Sequence, residues 1–349
     1  MARILAYCAL LSMLTLLPGV RPAQAAVINV QIDTAEPQAV LAIMAKLRQN
    51  QSVTAHDWDA VFLTRGYALL KKSEAEFHHP FSDDTFKLFV SDPKLLAQFQ
   101  SLSDTLTTWL SSDMIELTQR AFVYLPNGAK LHATVYPLIE PVSKSFAYQL
   151  DTDPVIMLHL DPTVTKDLFE YTVSHELYHV GDVQNCPPAS AVAEETTLSQ
   201  SQKDVLNWID RFSEGSAVLA AAGGAEVHPH WAGTPSDRAI WDTSMRNFDS
   251  DFASMQTFFS NIAAGTLRGD AIEAKASTFF GDVAGPWYTV GYTMDVVIEH
   301  AFGRAKLIEA TCDRRSYFAT YNAAAVKSNE AGNPPLPLWS PQLISLFGK

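Results

Sequence analysis

The chain has 349 residues and a formal net charge of −13 at pH 7. An acidic surface repels phosphate backbones and anionic lipid headgroups, which argues against nucleic acid and anionic membranes as partners. The length suits one large domain or two packed lobes with a sizeable hydrophobic core.

The first 25 residues have the pattern of a secretory signal peptide. Arg3 supplies the charged start, residues 4–17 supply the apolar run, and Ala23-Gln24-Ala25 is a small-x-small cleavage site. The apolar run is too short to span a bilayer as a helix. We therefore expect cleavage after Ala25 and export of the mature chain, periplasmic or secreted, with no membrane span.

Residues 26–120 are predicted to form a helical N-terminal region. Apolar residues recur at helical spacing in three segments, Gln38–Arg48, Asp57–Lys72 and Pro93–Leu110. No catalytic signature is found in this region. We interpret the pair His78-His79 as part of a solvated loop.

Residues 121–160 change to the pattern of a small sheet. Three short apolar runs have the length and composition of strands, namely Ala121–Leu125, Leu131–Tyr136 and Val155–Leu160. Asn127-Gly128 is a turn signal between the first two runs. After the third run, Asp161 is a suitable helix cap and Pro162 a suitable first helical residue, so we predict helices over residues 163–222.

The first of these helices carries the most informative motif in the chain, His175-Glu176-Leu177-Tyr178-His179. Side chains four residues apart lie on one helix face, so two such imidazoles can reach one Zn²⁺ ion at about 2.0–2.1 Å. Residues 168–180 are mostly apolar, and a buried helix needs a partner for such polar groups. The alternative is a purely structural histidine pair. We expect the helix to end at Gly181.

A catalytic zinc site needs a third protein ligand and an open position for water. A third histidine ten residues after the first is absent, because that position is Asn185. Asp182 suits a supporting or capping role better than a ligand role. Glu214 is the preferred ligand, since the small residues Gly215-Ser216-Ala217 allow its helix, about Gln202–Ala222, to approach closely. Weaker alternatives are Glu194, Glu195 and Glu226.

The remaining chain is predicted to form a helical lobe over residues 226–349. Residues 237–263 and 285–310 have helical character, and the tail Pro334–Pro337 is extended. After residue 25 the cysteines are Cys186 and Cys312. In an oxidising compartment they can form one disulfide, and two free thiols are the alternative.

Three motifs, taken together, resemble the zinc-dependent peptidases of the gluzincin clan, exported bacterial members in particular. They are His175-Glu176-x-x-His179, Glu214-Gly215-x-Ala217 and Trp287–Met294, and they fall within residues 155–310. The resemblance implies zinc on His175, His179 and Glu214, with Glu176 as general base and acid. It also implies an α+β, predominantly helical fold: a small sheet, then a zincin-type active-site helix and a helical C-terminal lobe. Residues 121–349 would then be a zinc peptidase-like domain, forming one compact unit with residues 26–120.

In the implied mechanism, Glu176 takes a proton from a zinc-activated water and returns it to the leaving amine. The oxyanion needs a donor besides zinc, and the resemblance suggests Tyr288 or Tyr292, for which core packing is the alternative role. Further candidate donors are His228, His230 and His300. Acids that can orient the ligating imidazoles are Glu170, Asp182, Asp282 and Asp295.

The leading hypothesis is therefore an exported zinc metallopeptidase that acts on peptide or protein substrates. The alternative is a non-catalytic exported binding or structural protein on the same scaffold, with zinc structural or absent. A structural zinc usually has four protein ligands, often cysteines, and no Cys-x-x-Cys pair is found. Glu176 also has no purpose in a purely structural site.

Overall fold

The structure, a computed structural model, describes residues 27–150, 152–187, 198–281 and 283–347. The predicted signal peptide, the alternative ligands Glu194 and Glu195, and Asp282 lie outside these residues. The fold is α+β and predominantly helical, as predicted, with one small sheet and many helices. Within the described ranges, no helix is long and apolar enough to cross a membrane.

The N-terminal region begins with strand β1 and continues as helices. The bounds are β1 Val27–Ile32, α1 Ala35–Arg48, α2 Ala55–Phe62, α3 Arg65–Glu76, α4 Asp83–Val90, α5 Pro93–Ala97, α6 Phe99–Trp109 and α7 Met114–Phe122. Several of these helices start at a side-chain cap, with reciprocal capping boxes at Thr54 and Ser82. The predicted helices 57–72 and 93–110 are each divided into two shorter ones.

The sheet has the strand order β1-β2-β4-β3. The later strands are β2 Lys130–Leu138, β3 Phe146–Tyr148 and β4 Val155–His159. Strands β1, β2 and β4 are parallel, and β3 is an antiparallel edge strand. Burial of β4 and of the end of β2 on both faces explains their continuous apolar sequence. No strand was predicted at the positions of β1 or β3. The sheet therefore includes one strand, β1, from the region 26–120 that was predicted to be helical.

The predicted strand Ala121–Leu125 is wrong. This segment contains the end of α7 and the turn that follows it. Its apolar residues continue a helical repeat, because the buried Leu117, Ala121 and Tyr124 lie three or four residues apart. Asn127-Gly128 does form a turn, but the turn leads from a helix into β2 instead of joining two strands.

Helix α8, Lys166–Asn185, packs against β2, β3 and α7, and its ends differ from the predicted ones. It begins after Thr165, whose hydroxyl accepts a hydrogen bond from the first turn, and not at Pro162. Gly181 does not end it. A Cβ at Gly181 would lie 2.3 Å from Cδ1 of Leu125, so the glycine serves close packing within the helix.

The helical lobe follows α8. Its helices are α9 Gln200–Ile209, α10 Ser213–Ala222, α11 Pro235–Arg246, α12 Phe248–Ala263, α13 Asp270–Ser277, α14 Pro286–Phe302, α15 Arg304–Cys312, α16 Arg314–Glu330 and α17 Pro341–Ser345. The predicted helix 202–222 is interrupted by a 3₁₀ turn at Asp210–Phe212. Phe212 anchors this interruption in an aromatic core that includes Trp287 and Trp339.

The C-terminal end of α8 is fixed to this lobe. Cys186, directly after α8, forms a disulfide with Cys312 at the end of α15, so the structure favours the bridge over two free thiols. Beside the bridge, the buried guanidinium of Arg314 pairs with Asp182 at 2.6 Å and also with Asp210. The disulfide and the ion pairs of Arg314 therefore fix the C-terminal end of α8, the helix that carries the histidine motif, to the helical lobe.

Candidate metal centre

Three side chains converge where α8 meets α10. His175 and His179 lie one turn apart on the same face of α8, with their Nε2 atoms 3.2 Å apart. Glu214, in the first turn of α10, places Oε2 3.4 Å from His175 Nε2 and 3.5 Å from His179 Nε2. The structure thus brings together the residues predicted as metal ligands.

Helix α10 reaches this position because it packs closely against α14. A Cβ at Gly215 would lie 2.1 Å from the backbone nitrogen of Tyr292, so only glycine permits the observed approach. The next residue, Ser216, donates a hydrogen bond to Asp295 on α14, and Tyr317 donates to the same carboxylate at 2.6 Å. These contacts fix the backbone that carries Glu214.

The donor set fits a zinc ion. Two imidazole nitrogens and one carboxylate oxygen are a known ligand set of catalytic zinc, which leaves a position for water. Atoms bound to one tetrahedral ion at about 2.0–2.1 Å lie about 3.3 Å apart, close to the separations of 3.2–3.5 Å found here. A second group of neighbouring donors in the described chain, Asp182 with Cys186 and Cys312, includes disulfide sulfurs instead of thiolates.

The same three groups form a half-buried ion-pair cluster. Burial opposes the charge on His179, but the Glu214 carboxylate outweighs it and raises the pKa of His179 to about 9. Burial likewise opposes the charge on Glu214, but His179 and His175 hold the pKa of that carboxyl well below its usual range. The site therefore keeps an ionised carboxylate ready for a cation.

Glu176 lies beside the cluster but does not belong to it. The backbone N–H of Ala147, in the edge strand β3, donates a hydrogen bond to Glu176 Oε2 at 2.8 Å. Burial raises the pKa of Glu176, while His175 and His179 lower it. The carboxylate thus lies between the edge strand and the two imidazoles, a position that suits a base acting on a molecule held at the ligands.

The sequence model of one protein family, described as "Putative zinc dependent peptidase (DUF5700)", matches residues 58–330. The chain belongs to this family. The matched range contains Glu176 and all three convergent side chains, so the family description and the donor set point to the same metal. Searches of curated proteins and of solved structures each returned no match.

The two tyrosines predicted for this family member occupy different environments. Tyr288 lies near Glu214 and Glu176. Burial is the main cause that raises the pKa of its phenol far above the usual range, and these two carboxylates raise it further. Tyr292, one turn later on α14, is 7% exposed and packs edge-on against Trp241 at 5.5 Å. The charges of Glu214 and Glu176 act on Tyr288, whereas those of Glu226 and Glu299 act on Tyr292, so Tyr288 is the stronger of the two candidates.

One of the candidate donor histidines faces the metal centre. The ring of His230 lies 6.0 Å from that of Tyr171, and burial, with contributions from His228 and His175, lowers the pKa of His230 to about 4. By contrast, His228 lies 3.2 Å from Asp242, and His300 lies on the surface 3.6 Å from the exposed Glu226. Glu226 is therefore separate from the ligand cluster.

Sequence reasoning missed Tyr171 and Ala147. Tyr171 lies one turn before His175 on the same face of α8, and its buried hydroxyl has no hydrogen-bond partner among the described residues. The four-residue spacing was a usable signal for Tyr171. No comparable signal existed for Ala147, because its role depends on a backbone N–H and on a three-residue strand.

The acids proposed as supports for the imidazoles have other partners. Asp182 pairs with Arg314, and Glu170 lies 3.8 Å from both Arg120 and Lys166. Asp295 acts one step further away, because it holds Ser216 two residues after Glu214. Burial raises the pKa of Asp295 to about 7, although the hydrogen bonds from Ser216 and Tyr317 lower it.

Proposed function

We propose that this protein is an exported zinc metallopeptidase of the HExxH-plus-glutamate (gluzincin) type. The observation that carries the proposal is the convergence of His175, His179 and Glu214 within 3.2–3.5 Å, with Glu176 adjacent to the set. A site built only to hold a structural ion has no use for a second, non-ligating carboxylate at this position. The substrates proposed are peptides or proteins.

The proposed chemistry assigns one role to each group. The chemistry that a zinc ion supplies in such a site is Lewis-acid polarisation of a carbonyl and acidification of a water. Glu176 accepts the proton of the attacking water and delivers it to the leaving amine. The Ala147 N–H orients this carboxylate through Oε2, while Oε1 has no hydrogen-bond partner within the described chain and can take the proton.

Tyr288 is the proposed donor to the developing oxyanion. The raised pKa keeps its phenol protonated at neutral pH, which is the state that can donate a hydrogen bond. His230 is a second candidate donor, because its lowered pKa leaves it neutral at pH 7 and a neutral ring still carries one N–H. Tyr288 is preferred because the Glu214 and Glu176 carboxylates act on its phenol directly.

The proposal is tested by comparing wild type with Glu176→Gln on a library of unstructured peptides, with zinc content measured on both proteins. Glu176→Gln should retain zinc and lower the cleavage rate by about 10²–10⁴-fold, the usual contribution of a general base. Equal cleavage by the two proteins at equal zinc would refute the mechanism. No cleavage by the fully zinc-loaded wild type would favour the non-catalytic alternative.

Export is part of the proposal. The N-terminal pattern motivates it, and the Cys186–Cys312 disulfide supports it, since such bonds persist mainly in oxidising compartments. N-terminal sequencing of the protein from its producing cell should find Ala26 first. An intact Met1 on cytoplasmic material would contradict export.

A further inference from the structure

A cavity separate from the metal centre lies at the carboxyl ends of the parallel strands β2 and β4. Its volume is about 370 Å³, and its wall is part polar and part apolar, the apolar part including Phe89, Leu95, Leu102, Ile139 and Leu160. None of the residues that line it belongs to the metal centre. The carboxyl ends of parallel strands are a frequent position for ligands in sheets flanked by helices, and the volume suits one small molecule or one long side chain.

Two polar atoms in this cavity have no partner in the part of the chain that the structure describes. Glu140 is only 4% exposed, lines the cavity, and leaves Oε1 without a hydrogen bond. His159 Nδ1, 3.9 Å from that oxygen, is also buried and without a partner. Because buried polar atoms are nearly always paired, two adjacent exceptions facing a cavity indicate a missing ligand.

The charges around the cavity favour a cation. Burial is the main cause that raises the pKa of Glu140 to about 9. Two further buried carboxylates, Glu36 and Glu74, also raise it. His79 pairs with Glu74 at 3.0 Å, and the ammonium of Lys144 lies over the Phe77 ring at 5.0 Å. Neither cation occupies the position between Glu140 and His159.

We propose that this cavity binds a primary ammonium group carried on an apolar chain, with the ammonium between Glu140 Oε1 and His159 Nδ1. An ammonium has three donors, enough to satisfy both atoms at once. Burial lowers the pKa of His159, so its ring is neutral and Nδ1 can accept a hydrogen bond. The apolar part of the wall would cover the chain of the ligand.

A metal ion fits this cavity less well. Zinc or calcium needs at least four ligands, whereas Glu140 and His159 offer one free atom each. The other acid that lines the cavity, Asp161, already accepts from the N–H and hydroxyl of Thr163. Accordingly, the groups of described residues that are close enough to hold a metal include neither Glu140 nor His159.

The test is calorimetric titration of the full mature chain with n-butylammonium and, separately, with Nα-acetyl-lysine N-methylamide. The first probe represents a free alkylamine and the second a lysine side chain of a peptide. At least one should bind, and Glu140→Gln should weaken that binding about 30-fold or more, as expected when one partner of a buried charge pair is removed. Binding by only one probe identifies the source of the ammonium group.

Proton release distinguishes this cavity from a surface site. Because Glu140 keeps a proton when the cavity is empty, ammonium binding at neutral pH should release about one proton, seen as a dependence of the measured heat on the ionisation enthalpy of the buffer. The titratable groups that face Glu140 from neighbouring elements are Glu36, Glu74, His159, Asp161 and Lys144.

Two further variants keep the test decisive. Glu116→Gln removes an equal charge from an exposed position on α7 and should bind like wild type. Ser143→Trp, at the exposed rim, should block entry without altering a buried charge. The proposal is overturned if neither probe binds wild type, or if Glu140→Gln and Ser143→Trp both bind with wild-type affinity.

Discussion

Glu214 and Glu140 are both carboxylates withdrawn from water, and burial disfavours the charged form of each. Their surroundings then act in opposite directions. Glu214 lies between two imidazoles at 3.4 and 3.5 Å, which hold its pKa well below the usual range. At Glu140, burial and then the Glu36 and Glu74 carboxylates raise the pKa to about 9, and the imidazole of His159 lies 3.9 Å away.

The comparison shows that burial alone does not decide what a buried acid is for. At Glu214 the neighbours prepare a negative charge for a cation that the imidazoles help to hold. At Glu140 the neighbours prevent the charge until a cation arrives and displaces a proton. A glutamate withdrawn from water is therefore ionised in one region, at Glu214, and protonated in the other, at Glu140, until a cation binds there.

The largest expected effect concerns the metal centre. His179→Ala removes one of the donors and should leave less than one tenth of the zinc content and no measurable peptide cleavage, because two remaining ligands cannot hold a catalytic ion. Metal analysis of the purified variant checks this. His300→Ala removes an exposed histidine from α14 and should keep full zinc. A full complement of zinc in His179→Ala would refute the ligand assignment.

The next prediction concerns the anchor of the metal-bearing helix. Replacing both Cys186 and Cys312 by serine removes a cross-link between residues 126 positions apart, which should lower the free energy of unfolding by about 5 kcal/mol in the chain-entropy treatment. Urea unfolding with and without the disulfide measures the difference. Unchanged unfolding would show that Arg314 and its acids suffice to fix the end of α8.

The sequence predicted the convergence of His175, His179 and Glu214 better than it predicted the sheet. Two histidines four residues apart share a helix face whatever the rest of the fold does, and small residues after Glu214 indicate a close helix contact. The strand β1 lacks such a local signal, since its identity depends on parallel pairing with β2 about a hundred residues later, as in Val27 opposite Lys130. The three-residue strand β3 exists only through its pairing with β4.

Other features were ambiguous for related reasons. Tyr288 and Tyr292 lie one turn apart, so spacing alone could not separate them, and only the structure shows that different carboxylates surround the two phenols. The apolar run Ala121–Leu125 suited a strand and a helix end equally well by composition. The Glu140 cavity left no motif at all, because its residues come from separate helices, strand ends and loops.

A third prediction sharpens the description of the metal centre. Tyr288→Phe should lower kcat by about 10²–10³-fold with zinc content unchanged, the usual effect of losing one oxyanion donor. Tyr292→Phe is the matched comparison, because it removes the same hydroxyl one turn away on α14, from a phenol on which Glu226 and Glu299 act instead of Glu214 and Glu176. Equal losses in the two variants would show that neither phenol acts on the reacting carbonyl. Steady-state kinetics on one cleaved peptide gives both values.

The last prediction tests the other half of the comparison through pH. An acid whose pKa is raised by folding keeps its proton in the native state while the unfolded state loses it, so its presence destabilises the fold as pH rises from about 4.5 towards 9. Glu140→Gln imitates the protonated form at every pH. In the absence of any amine, it should therefore be more stable than wild type by about 3 kcal/mol at pH 7.

The gain from Glu140→Gln should shrink to about 1 kcal/mol or less at pH 5, because the unfolded state of wild type takes up the proton as pH falls towards 4.5. Urea unfolding of the two proteins at pH 5, 7 and 8 measures the trend, and Glu116→Gln, at an exposed carboxylate, should show none. A variant less stable than wild type at pH 7 and 8 would mean that Glu140 is ionised and already paired in the fold. That outcome would remove the contrast with Glu214, since both acids would then be permanent charges.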